Sequence, residues 1–180
     1  LKGIALDKKN GHRKKLVHMF MGKAVKKGSF YTRTMDDVYE NILFHGDKLR
    51  GIRKIISCSE QFMLAEIDSA PLPGQWMSEP LRSRWIADPL IIDSAFQMAT
   101  IWTYEKTGMF SLPGYCASYR QYQDRFPSKG VTVLLEINNV SARQMKGDFT
   151  FLDEGRNVVA RLTGYEAVMD ASLAMAFKRE

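Results

Sequence analysis

The longest apolar stretch of the chain runs from Pro89 to Trp102. It shows neither the two-residue alternation of a strand nor the one-sided stripe of a surface helix. Proline fixes φ and needs no donor in a first helical turn, so a helix is expected to start just after Pro89. Gly108 is the expected stop. A helix that is apolar almost all round belongs inside a fold. It nevertheless carries an acid, Asp93, and an amide, Gln97, which are four residues apart and so share one face. A buried carboxylate is costly, and Asp93 therefore needs a partner or a purpose.

Other patterns flank this helix. Residues 2–7 and 14–25 read as two strands around Lys8-Lys9-Asn10-Gly11, because Asn-Gly supplies the positive φ values of a tight hairpin. Residues 26–29 break that hairpin and a linker follows. Thr34, with Asp37 three residues later, is a candidate N-cap for a short helix to about Leu43. Phe44-His45-Gly46-Asp47 is a turn, followed by strands over 50–57 and 61–68, the second alternating in a half-buried manner. Pro71, Pro73, Gly74 and Pro80 mark an irregular loop holding Trp76 and Trp85. After Gly108, Leu112-Pro113-Gly114 reads as a turn before a strand at about 115–123. Strands over 131–137, 144–152 and 157–168 then form a meander, with Asp153-Glu154-Gly155-Arg156 as its last turn. Short helix, two strands, long apolar helix, four strands is an α+β order. It suits an antiparallel sheet wrapped around one buried helix. Residues 1–29 are expected to be a separate hairpin and linker, and 30–180 the domain.

Composition narrows the setting. The chain has 180 residues, 45% of them hydrophobic, enough for one real core. No apolar run approaches the roughly 18 residues that span a bilayer, and no secretory signal is visible, so no membrane partner is expected. Two cysteines, Cys58 and Cys116, have neither pairing nor metal spacing, which suits the cytoplasm. The net charge of +6 is concentrated at one end. Residues 1–30 hold nine Lys/Arg against one Asp, leaving 17 against 19 elsewhere. The body is thus not basic, and nucleic acid is not an expected partner; lysines on an edge hairpin guard against strand addition. No two histidines have ligand spacing, and no metal is expected.

On these residues the chain resembles the dehydratase domain of polyketide synthases, a double hotdog fold, and specifically its C-terminal hotdog. The family's Asp-x-x-x-Gln/His helix motif matches Asp93-Ser94-Ala95-Phe96-Gln97. Its Tyr/His-Gly-Pro-x-Phe turn matches Phe44-His45-Gly46-Asp47-Lys48-Leu49, and its Leu-Pro pair after the helix matches Leu112-Pro113. A closing hairpin matches 145–168, so the likeness covers about 35–168. Asp88, Asp47, Gly114 and Cys116 stand where the family usually has His, Pro, Phe and Trp. The family's other catalytic residue is a His in a His-x-x-x-Gly-x-x-x-x-Pro motif of the first hotdog. His18 to Gly22 fits the first five places, but Lys27 replaces Pro and only a linker separates the match from the present domain. That histidine is therefore expected outside this chain.

The resemblance implies removal of water from a 3-hydroxyacyl thioester carried on an acyl carrier protein, with no cofactor. The absent histidine would take the α-proton and Asp93 would protonate the leaving hydroxyl, with Gln97 holding the carboxyl. The apolar neighbours Ile91, Ile92, Phe96 and Trp102 are expected to desolvate Asp93, which favours the protonated carboxyl an acid needs. His45, Gly46, Leu49, Pro113 and Tyr115 are the implied substrate-binding residues. An upstream hotdog half or a second copy is the implied partner. Two alternatives stay open: a non-catalytic acyl-binding or structural module, and a hotdog thioesterase.

Overall fold

The computed structural model describes residues 30–176. The expected hairpin over 2–7 and 14–25 and the match at His18 lie outside the described residues, as does the boundary at 29. Among the described residues the chain order is α1 (Met35–Asn41), a 3-10 turn (Asp47–Leu49), β1 (Ile52–Cys58), β2 (Phe62–Ile67), α2 (Pro73–Trp76), α3 (Pro89–Thr107), β3 (Ser111–Gln121), β4 (Val131–Val140), β5 (Gln144–Leu152), β6 (Val158–Met169) and α4 (Leu173–Ala176). The six strands form one antiparallel sheet in the order β1-β2-β4-β5-β6-β3. Helix α3 packs across one face, touching β2, β3, β4 and β6. This is the single-hotdog arrangement expected from the sequence.

Register explains the packing. Ala65, Val133, Phe151 and Ala160 lie in one row across β2, β4, β5 and β6, and Met63, Leu135, Phe149 and Leu162 lie two positions along. All eight are buried and belong to the core that α3 enters through Ile91, Ala95, Met98 and Ile101. Phe96 stacks on Tyr165 with ring centroids 5.4 Å apart and meets Phe149 edge-on. Trp102 sends its indole N–H to the Ser59 carbonyl at 2.7 Å, tying the helix to the β1–β2 turn. Thr100 donates to the Ser111 carbonyl at 2.9 Å and so ties it to the start of β3.

The helix ends follow the sequence signals. Asp88 caps the N-terminus, Pro89 opens the first turn, and Gly108 closes the helix at φ 71°. Thr34 caps α1 by accepting from the Asp37 N–H at 3.2 Å. Three expectations change. β3 begins at Ser111 rather than 115, and Leu112-Pro113-Gly114 is a bulged part of the strand, not a turn. Pro113 is tolerated there because β3 is an edge strand, with no further ladder to donate to. β2 is buried on both faces rather than half-buried, because it lies inside the sheet and Phe62 and Leu64 pack with Leu134 and Leu152 on the side away from α3. The proline-marked loop contains the one-turn helix α2. No helix among the described residues is long and apolar enough to cross a membrane.

Candidate active site

The second turn of α3 and the segment between α1 and β1 meet at Asp93. That segment comes unusually close to the helix because residue 51 is glycine. A Cβ there would run into the Ser94 hydroxyl and lie 2.7 Å from Leu90 Cγ. With Gly51 in contact, the preceding 3-10 turn brings the Leu49 carbonyl within 2.8 Å of Gln97 Nε2, which donates to it. The same amide nitrogen donates to Asp93 Oδ2 at 2.7 Å. His45 approaches the same oxygen, with Nε2 at 3.7 Å.

The environments of these groups differ. Gln97 is buried, with 1% exposure. The Asp93 side chain keeps 34% of its surface exposed, so the expected enclosure by apolar neighbours is not made by α3 itself. At 3.6 residues per turn, Ile91 and Trp102 lie about 160° and 180° round the helix from Asp93 and point into the core. Phe96 is spent on Tyr165 and Phe149. The His45 ring is 12% exposed and stacks on Phe44 with centroids 4.4 Å apart. Burial holds its imidazole below the ordinary value of 6.5, against the opposing pull of the Asp93 charge. It is therefore neutral at neutral pH.

A further residue completes the cluster, and the sequence pattern gives it no special mark. Tyr39 of α1 donates its hydroxyl to Gln97 Oε1 at 2.9 Å and accepts from the Ile52 backbone N–H at 3.0 Å. The Arg50 guanidinium sits over its ring, 5.4 Å from the centroid. Val38, Tyr39 and Ile42 form the buried face of α1, and in sequence Tyr39 looks like one more core aromatic. Only its distant partner shows what the hydroxyl does.

Of the sequence-predicted residues, Asp93, Gln97, His45 and Leu49 are thus brought together. Gly46 sits at the mouth of the 3-10 turn as its N-cap, exposed, with open space where a Cβ would stand. Pro113 and Tyr115 lie on the exposed edge strand β3, opposite Ala167 and Glu166, and no hydrogen bond among the described residues joins them to the cluster.

Comparison with known proteins identifies the family and the fold. A polyunsaturated fatty acid synthase from Thraustochytrium is 26% identical over 128 residues, which is 66% of this chain and 4% of that protein. A trans-AT polyketide synthase dehydratase domain from Brevibacillus brevis superposes with a TM-score of 0.60 at 17% identity, over 82% of this chain and 52% of that one. The dehydratase domain of PpsC from Mycobacterium tuberculosis gives 0.57 at 18% identity, over 76% and 51%. The chain therefore spans about half the length of these solved domains and a small part of the fatty acid synthase. The family model described as polyketide synthase dehydratase N-terminal domain matches residues 22–172, and with that span the chain belongs to the polyketide synthase dehydratase family.

Proposed function

We propose that this chain supplies the acid-bearing half of a dehydratase site that converts a 3-hydroxyacyl thioester on an acyl carrier protein to the 2-enoyl thioester. The observation that carries the reading is the Asp93–Gln97 pair: a carboxyl a third exposed, with Oδ2 held by a buried amide donor and the other oxygen unengaged among the described residues. In the step, a base removes the α-proton, and the Cα–H electron pair forms the new double bond. The Cβ–O bond breaks, and Asp93 gives its proton to the departing hydroxyl, which leaves as water. Asp93 is left as a carboxylate whose Oδ2 Gln97 Nε2 continues to hold. Neutral His45, close to Oδ2, lines the approach beside the acid. PpsC, one of the structural relatives, is in complex with C12:1-CoA, an acyl thioester of the kind such a site would accept.

The base is expected on a second hotdog, either upstream in the same polypeptide or on another copy. β3 supports that arrangement. From Leu112 to Arg120 it is exposed, with Tyr115 at 59%, and an open edge of this length invites pairing.

The test is dehydration of a carrier-bound 3-hydroxyacyl thioester by this chain alone, by the chain with its native flanking sequence, and by that longer form carrying Asp93→Asn. Activity in the longer form that disappears with the substitution is the expected result. An intact fold without dehydration in any form overturns the reading in favour of an acyl-binding module. Release of free acid instead of enoyl product makes it a thioesterase.

A further inference from the structure

We propose that Tyr39 is a positioning residue for Asp93, acting through Gln97; the inference rests on the reading of Asp93 as the acid. A glutamine side chain has two ends of nearly equal shape, and only the NH2 end can hold a carboxylate. Which end faces Asp93 is decided by the partners of both. Here the decision traces back to two backbone groups that have no choice. The Ile52 N–H can only donate, and it donates to the Tyr39 hydroxyl. The single hydroxyl proton must then go onward, to Gln97 Oε1. At the other end the Leu49 carbonyl can only accept, and it takes one N–H of Gln97. The remaining N–H is left for Asp93 Oδ2.

The relay therefore has a fixed direction, from the Ile52 amide to the carboxyl. Its two interior members are sealed from water, Tyr39 at 3% and Gln97 at 1% exposure. Burial pushes the Tyr39 phenol up to about 12, so it remains a donor throughout the range in which the protein would work. Ile52 and Leu49 lie one and two residues from Gly51, whose lack of a Cβ lets this segment lie against Ser94 and Leu90. The arrangement makes α1, which shares no hydrogen bond with Asp93 among the described residues, part of what orients the acid.

The closing experiment is a double-mutant cycle with Tyr39→Phe and Gln97→Met in the chain with its native flanking sequence. Removing the hydroxyl is expected to lower kcat on the order of tenfold, below the roughly hundredfold that full misplacement of a reacting group costs, with KM little changed. In the Gln97→Met background the same substitution is expected to add no further loss, since the relay has already been cut. A merely structural role predicts losses that multiply; that result, or an unchanged kcat in Tyr39→Phe, overturns the proposal. A second readout does not depend on activity. The side-chain amide NMR resonances of Gln97 are expected to shift in both Asp93→Asn and Tyr39→Phe. Resonances that ignore Tyr39→Phe overturn the relay even if the wild type dehydrates nothing, whereas an inactive wild type with the expected shifts removes only the reading of Asp93 as an acid.

Discussion

The N-cap and the second turn of α3 carry two carboxyls five residues apart, and they have opposite fates. Asp88, at the N-cap, is 5% exposed and spends both oxygens on backbone amides. Oδ1 takes the Ile91 N–H at 3.0 Å, and Oδ2 takes the Ala70 N–H at 3.0 Å. Burial raises its carboxyl above the usual range although those amides act to lower it. Asp93 is held by side chains instead, keeps a third of its surface open, and among the described residues has one oxygen without a hydrogen bond. The lesson is that burial alone does not mark a working acid. A carboxyl saturated by the main chain joins a loop to a helix, while one held at a single oxygen by a side-chain amide stays open to solvent, as the proposed acid must.

The sharpest way to test that division is to remove each carboxyl in turn. Asp93→Asn keeps an acceptor for Gln97 but has no proton to give, so kcat for dehydration should fall by about 10²–10⁴. Its stability by urea unfolding should stay within about 0.5 kcal/mol of the wild type, as for other half-open positions. A large loss of stability with activity retained would reverse the roles assigned to the two acids. Gly51→Ala should come next in size. Its methyl meets Ser94 and Leu90 in a packed contact, which costs about 1–3 kcal/mol of stability by urea unfolding. It should also push Leu49 and Ile52 away from the relay, lowering kcat alongside. Asp88→Ala should cost about 0.5–2 kcal/mol, the range for a lost helix cap. If enzyme that is still folded loses dehydration as completely as Asp93→Asn does, Asp88 is more than a cap.

What the sequence made legible follows the range of each interaction. The bounds of α3 were readable because Pro89 and Gly108 act locally, and Asp93 and Gln97 were readable as a pair because four residues is one helical turn. The sheet order was readable only as a class, since pairing β3 with β6 joins Leu112 to Val168 across a long stretch of chain. Tyr39 was illegible for the same reason: its partner Gln97 is 58 residues away. The enclosure expected for Asp93 failed differently. Ile91 and Trp102 are near it in sequence but on the far side of the helix, where adjacency along the chain gives no contact. Leu112-Pro113-Gly114 has turn composition, yet it forms strand because an edge position leaves Pro113 no obligation to donate.

The smallest expected effect concerns His45, and it tests how closely Asp93 and its neighbour are linked. Burial lowers the folded-state value of His45 below 6.5, and the Asp93 charge partly offsets this. Between the folded value and 6.5 the unfolded chain binds a proton that the folded chain does not, so stability falls with acidification across that window. The contribution is fully present above 6.5 and is lost as the pH drops through the folded value. Replacing His45 with Gln should flatten the stability profile in that window and leave the carboxylate-driven loss at lower pH in place. Asp93→Asn should act the other way: without the carboxylate charge the folded imidazole is harder to protonate, so its NMR titration midpoint should move down further. A midpoint that rises, or that ignores the substitution, would mean that the 3.7 Å approach of Nε2 to Oδ2 carries no electrostatic coupling. The two side chains would then be neighbours at one oxygen without sharing its charge.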